Sequence, residues 1–156
     1  MTVNYITQYN DLLQRGEIPA CRRIKAVYAR LAAETVAPGK YVFDEAKANR
    51  PIAFIEKFCR HSKGEWTGKP VALGLFQKAF IQSLFGFVDA KTGLRRYREA
   101  FFLVGHKNGK STLLAGLALY MLIADGEGGA EVYSTTTKYA QARLLFDECH
   151  NMIKQS

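Results

Sequence analysis

The residues best suited to do chemistry lie in one stretch, Val104-Gly105-His106-Lys107-Asn108-Gly109-Lys110-Ser111-Thr112. A glycine loop that closes in Gly-Lys-Ser holds phosphate when it joins a strand to a helix. Each part has a physical task. The backbone N–H groups of the loop converge on phosphate oxygens, and the helix start adds unpaired donors and the positive end of a dipole. Lys110 would reach the outer phosphates, and the Ser111 hydroxyl would hold Mg²⁺. The spacing departs from the usual pattern at one point. The leading glycine belongs at position 104, where this chain has Val104, and it stands at Gly105 instead.

Two other groups of residues carry weaker signals. Ser134-Thr135-Thr136-Thr137-Lys138 follows a short apolar segment and precedes a helical pattern. In an open α/β sheet, ligands sit at the carboxyl ends of the strands, which puts this turn on the same edge as the phosphate loop. Its hydroxyls suit helix capping, which should take one of them, and they equally suit a phosphodiester backbone. Upstream, Gln77 in Leu75-Phe76-Gln77-Lys78 has an amide that can both donate to and accept from an adenine edge. A glutamine on a helix carries no weight alone.

The elements that must position these residues can be read from periodicity. Helical spacing runs through Val3, Ile6, Tyr9 and Leu13 until Gly16 breaks it. Pro19 opens a second helix in which Ile24, Val27, Tyr28 and Leu31 share one face, with Arg22, Arg23, Lys25 and Arg30 on the other. A third helix fits residues 44–60, with Ile52, Ile55 and Phe58 pointing inward, and a short apolar helix fits 76–85. Lys91-Thr92-Gly93 reads as a turn between short strands. Residues 100–104 read as a buried strand, 113–123 as a long helix, 130–134 as a second strand and 137–154 as a final helix. The order predicts an α/β fold, a P-loop NTPase-type three-layer sandwich around a mostly parallel, incomplete sheet. An N-terminal helical segment, 1–64, precedes it, and the ATPase-like part occupies 65–156.

Composition excludes several classes. The 156 residues suffice for one sizeable core, and 48% hydrophobic content argues against disorder. No apolar run reaches transmembrane length, and the N-terminus lacks the pattern of a secretory leader. Cys21, Cys59 and Cys149 are odd in number and far apart, which reads as reduced thiols rather than a disulfide frame or zinc site. The net charge of +8 is uneven: positions 51–110 hold eleven Lys or Arg against Glu56, Glu65, Asp89 and Glu99. A basic surface beside a nucleotide loop suggests a polyanion, with nucleic acid the first candidate.

Taken together, these residues resemble the large terminase subunit of tailed bacteriophages, the ATP-driven motor that packages DNA. The resemblance runs through Gly16-Glu17-Ile18-Pro19-Ala20-Cys21, Phe54-Ile55-Glu56, His61-Ser62-Lys63-Gly64, Phe76-Gln77-Lys78 and Arg95-Arg96-Tyr97-Arg98-Glu99-Ala100. It is most specific at Lys107-Asn108-Gly109-Lys110-Ser111-Thr112, because the family's phosphate loop is characteristically irregular. The resemblance implies ATP and Mg²⁺ as ligands, with Gln77 on the adenine and Gly105, Lys107, Asn108, Gly109, Lys110, Ser111 and Thr112 around the phosphates. Thr135, Thr136, Thr137 and Lys138 would link nucleotide state to DNA. Many members carry arginine where this chain has His106, which leaves Lys107 as the candidate γ-phosphate contact.

The resemblance also implies double-stranded DNA, a small terminase subunit and a portal as partners of the full-length protein. It implies self-assembly only for a complete chain, no membrane association, and a place in the cytoplasm of a bacterial host, as a phage or prophage protein. No segment from Leu113 to Ser156 is an apolar strand ending in paired acids, as phosphoryl transfer would need. Asp147-Glu148 sits in a helix and reads as a solvated face. The chain is therefore expected to match the first part of the ATPase domain, short of the acidic motif and of the nuclease domain, with no complete catalytic set. The competing reading is a non-catalytic remnant or a regulatory module that binds DNA or a partner. A small nucleotide kinase would need acceptor and lid segments after the loop, and none is evident.

Overall fold

The computed structural model describes residues 3–37, 39–105 and 107–155. Six helices, a single 3₁₀ turn and two short strands account for the regular structure among them. The chain divides into two compact units: Met1–Ile52 with Gly74–Phe101, and Ala53–Leu73 with Phe102–Ser156.

In the first unit, α1 (Tyr5–Arg15) begins where the Asn4 side chain accepts from the Thr7 N–H at 3.1 Å. It ends at Gly16, whose φ of 77° supplies the left-handed turn that a side chain would resist. Ile6, Tyr9 and Leu13 recur at helical spacing and are buried against α2 (Arg22–Glu34) and α4 (Leu75–Phe85). Tyr9 and Tyr28 meet edge to face at 4.7 Å between centroids. Only half of the apolar face read on α2 is used. Tyr28 and Leu31 are buried, while Ile24 and Val27 are exposed.

The start of α1 is held from a distance. Gln82 on α4 is fully buried, and its Oε1 accepts from the N–H groups of Tyr5 at 2.7 Å and Ile6 at 3.2 Å. Its Nε2 donates to Val3 O at 2.8 Å and Asn49 Oδ1 at 2.9 Å. Every polar atom of that amide is thus paired, as burial demands.

Strand β1 (Tyr41–Phe43) pairs antiparallel with β2 (Phe87–Asp89), Val42 opposite Val88. The turn expected at Lys91-Thr92-Gly93 is present. The Asp89 carboxylate accepts from the N–H groups of Lys91 and Thr92, and Gly93 has φ 69°. The return limb makes one bridge, Arg95 to Val88, rather than a strand. Arg96 is part of the packing: it lies 2.6 Å from Glu34 Oε2 and 5.0 Å from the ring centroids of Tyr41 and Tyr97.

Helix α3 (Glu45–Phe58) contains Pro51 and contributes residues to both units. In the second unit, Ile55 and Cys59 are buried, as are Leu113, Ala115, Leu117, Leu119 and Tyr120 of α5 (Lys110–Ile123) and Met152 of α6 (Tyr139–Lys154). Phe58 is exposed rather than inward. Gly116 lets α5 approach closely, because a Cβ there would lie 3.0 Å from Ile55 Cγ1.

The parallel sheet expected from the sequence is not among the described residues. The sheet present has two antiparallel strands, so the composition is α/β but the arrangement differs from the one expected. Residues 100–104 and 130–134 belong to no strand, and Phe101 and Leu103 are 87% and 81% exposed. The cause is the lack of a ladder partner: a strand is defined by its neighbour's hydrogen bonds, and no described segment supplies them. The period-2 character persists, with Phe102 and Val104 half-buried between open neighbours.

Candidate functional site

The loop at 104–112 leads into α5 through two left-handed residues. Lys107 has φ 64° and is the one non-glycine residue with positive φ among those described. Gly109, at φ 68° and ψ 17°, is the N-cap of α5. A side chain in this region costs about 1–3 kcal/mol, so Lys107 holds a conformation its own type disfavours. Asn108 folds back toward Gly105: a Cβ on Gly105 would lie 3.1 Å from Asn108 Nδ2. His106 lies outside the described residues.

The start of α5 suits an anion. No side chain caps it, and its first turn contains no acidic residue. The first intrahelical bond runs from Leu113 N–H to Gly109 O at 2.9 Å, so the N–H groups of Lys110, Ser111 and Thr112 precede it and have no partner within the helix. Lys110 and Ser111 are exposed and Thr112 is half-buried, while Leu113 directly behind them is buried and anchors the turn. Backbone donors at a helix start, with a lysine and a hydroxyl beside them, are the groups that a polyphosphate and its bound cation require.

Thr135, Thr136, Thr137 and Lys138 belong to the same unit as the loop and are all exposed. The capping role expected of one threonine is not filled in that way. Helix α6 begins at Tyr139 with Lys138 as its N-cap and no side-chain cap. Thr136 Oγ1 instead donates to Lys138 O at 2.7 Å, folding the turn onto itself. Beside this turn, residues 132–134 border an open apolar groove of about 810 Å³, also lined by Leu119 and Leu122 of α5 and by Phe146 and Ile153 of α6.

Gln77 lies in the other unit. It is 8% exposed, and its Oε1 accepts from the Gly74 N–H at 2.9 Å across the first turn of α4.

Glu148 is the residue that the sequence misplaced. Expected on a solvated face, it is 8% exposed, with Lys63 Nζ 3.9 Å from its Oε2. It shares the packed side of α6 with Met152 four residues on, a register that the polar run Asp147-Glu148 conceals. Asp147 pairs with Arg143 at 3.6 Å. Cys59 is buried, which pushes its thiol up to about 11, with Cys149 adding to the effect. A thiol so raised is inert near neutrality.

Residues 75–156, more than half of the chain, match the family described as terminase large subunit, ATPase domain. The matched span contains the loop, the hydroxyl turn and Gln77. The large terminase subunit of Enterobacteria phage HK97 is 32% identical over 108 residues, covering 69% of this chain and 20% of the relative. The chain thus spans about a fifth of that relative's length. No solved structure matches it. The chain belongs to the terminase large-subunit family, through that family's ATPase domain.

Proposed function

We propose that this chain supplies the ATP-holding part of a phage DNA-packaging motor. The observation that carries the reading is the uncapped, acid-free start of α5 behind two left-handed loop residues, inside the span that matches the ATPase domain. Gly105, Asn108 and Gly109 shape the loop, and the N–H groups of Gly109 through Thr112 face the phosphates. Lys110 neutralises the outer phosphates, and Lys107 reaches the γ-phosphate. The Ser111 hydroxyl is the residue that would hold Mg²⁺, which when bound offsets phosphate charge. Gln77 reads the adenine edge. The reading assigns nucleotide holding to these residues and no complete catalytic set.

The finer architecture belongs to the same proposal. Segments 100–104 and 130–134 would be parallel strands of a P-loop sheet within a three-layer sandwich spanning 65–156. Their apolar composition and the alternation at Phe101 to Val104 support this. Thr135, Thr136, Thr137 and Lys138 then stand at a strand end, suited to contact double-stranded DNA and couple it to nucleotide state. The small terminase subunit and the portal are the further partners of the motor, acting in the host cytoplasm. No helix among the described residues is long and apolar enough to cross a membrane.

Titrating the chain with a fluorescent ATP analogue, with and without Mg²⁺, tests the reading. Binding should tighten with Mg²⁺ in the native chain and lose that dependence in Ser111→Ala. An unchanged Mg²⁺ effect in the variant would remove Ser111 from the site.

A further inference from the structure

The turn between Arg60 and Pro70 has no task in nucleotide holding, yet it is tightly built. Arg60 bridges to Pro70 and His61 to Thr67. The His61 N–H donates to Lys69 O at 3.0 Å, the Gly68 N–H to His61 O at 2.9 Å, and the Lys69 N–H to Trp66 O at 2.8 Å. Gly64 and Gly68, with φ of 77° and 79°, permit the two sharp bends. Thr67 Oγ1 closes onto Gly64 O at 2.7 Å, and the Gly68 N–H also meets Gln155 Oε1 of α6 at 3.0 Å.

This rigid turn holds Trp66 outward. The residue is 60% exposed, the Lys69 ammonium lies 4.7 Å from its ring centroid, and the His61 ring lies 6.5 Å away. Between positions 57 and 69 the chain carries Lys57, Arg60, Lys63 and Lys69 against Glu65, with Lys63 also 3.9 Å from Glu148. An indole presented to solvent on a fixed turn, with a cation at its face, combines a stacking surface with a phosphate contact. An apolar protein partner would find the surrounding cations costly to desolvate, whereas a nucleic-acid strand would be attracted by them.

We propose that the turn is a stacking platform for unpaired nucleotide bases, with Trp66 against a base and Lys69 on the adjoining phosphate. The chain would thereby bind single-stranded DNA at a place separate from the phosphate loop. Paired bases present no free face, so intact duplex is a poor ligand for the indole.

Trp66 is the single tryptophan, so its fluorescence reports on this site alone. The whole chain is titrated with a thymine oligonucleotide of about 15 nucleotides, a duplex of equal length, and heparin as a polyanion without bases. The single strand should quench Trp66 saturably and at least several-fold more than either control, and Lys69→Gln should weaken that response. Trp66→Ala should lower affinity for a labelled thymine strand about tenfold, with helix content and melting temperature unchanged. Absent quenching, or equal quenching by duplex or heparin, would overturn the proposal. Lys110→Ala should leave the quenching intact, so failure of the nucleotide reading and failure of this one are separately visible.

Discussion

Gln82 of α4 caps the beginning of α1: its Oε1 accepts the Tyr5 N–H at 2.7 Å although 77 positions separate the two residues. The same amide also binds Ile6, Val3 and Asn49. Replacing it with an apolar side chain leaves two helix donors and two acceptors without this partner, the Ile6 N–H in a buried place. Gln82→Leu should cost on the order of 2–4 kcal/mol in a urea melt followed by circular dichroism. A loss below about 0.5 kcal/mol would show that water reaches the α1 start.

Lys107, the proposed γ-phosphate contact, is left-handed at φ 64°. Lys107→Gly removes the strain and the charge together. The melt should shift toward higher stability by up to about 1 kcal/mol, while affinity for an ATP analogue drops several-fold. A variant that is less stable and binds as before would reverse both assignments.

Stability should fall with rising pH in the alkaline range. The Cys59 thiol is raised to about 11 from 9.0 by burial. Between those values the unfolded chain releases a proton that the folded chain keeps, so the stabilising term is complete below 9 and lost on the way to 11. Burial raises Cys149 as well, and Tyr28 in the same sense, adding to the slope. Unfolding free energies from urea melts across this range should decline by an amount on the order of 2 kcal/mol, and Cys59→Ala should flatten the decline. A slope identical in the variant would place the titration elsewhere.

The chain should self-associate at high concentration. Phe101, Leu103 and Tyr133 are exposed on segments that belong to no strand, and Phe146 and Ile153 line the apolar groove. Exposed apolar surface of this kind, on segments of strand-like composition, invites association. Sedimentation velocity should show concentration-dependent growth that Phe101→Asp with Leu103→Asp reduces. Equal association by the double variant would exclude that segment as its cause.

What the sequence revealed follows from the range of the forces involved. The helices were legible because apolar spacing is a local signal, as with Ile6, Tyr9 and Leu13. The Gly109-Lys110-Ser111 turn stood out by its placement between an apolar segment and a long apolar helical run, and α5 does begin at Lys110. Strand β1 went unread: three residues, Tyr41–Phe43, are too few to show a period, and only pairing with Phe87–Asp89 defines them. The cap made by Gln82 was invisible, since a glutamine inside an apolar run does not announce partners far along the chain. Segments 100–104 and 130–134 carry strand composition, but a strand exists only with a neighbour. Ile24 and Val27 show the same limit from the other side, since an apolar stripe on α2 does not say how much of it finds a partner.

The central claim is that the start of α5 holds the phosphates of ATP. Its most direct test is equilibrium binding of a fluorescent ATP analogue to the chain and to Lys110→Ala, with melts to confirm that both are folded. Binding by the native chain that weakens at least about tenfold in the variant, without loss of stability, is the predicted result. Equal affinity in the two folded proteins would contradict it and leave the loop without its nucleotide.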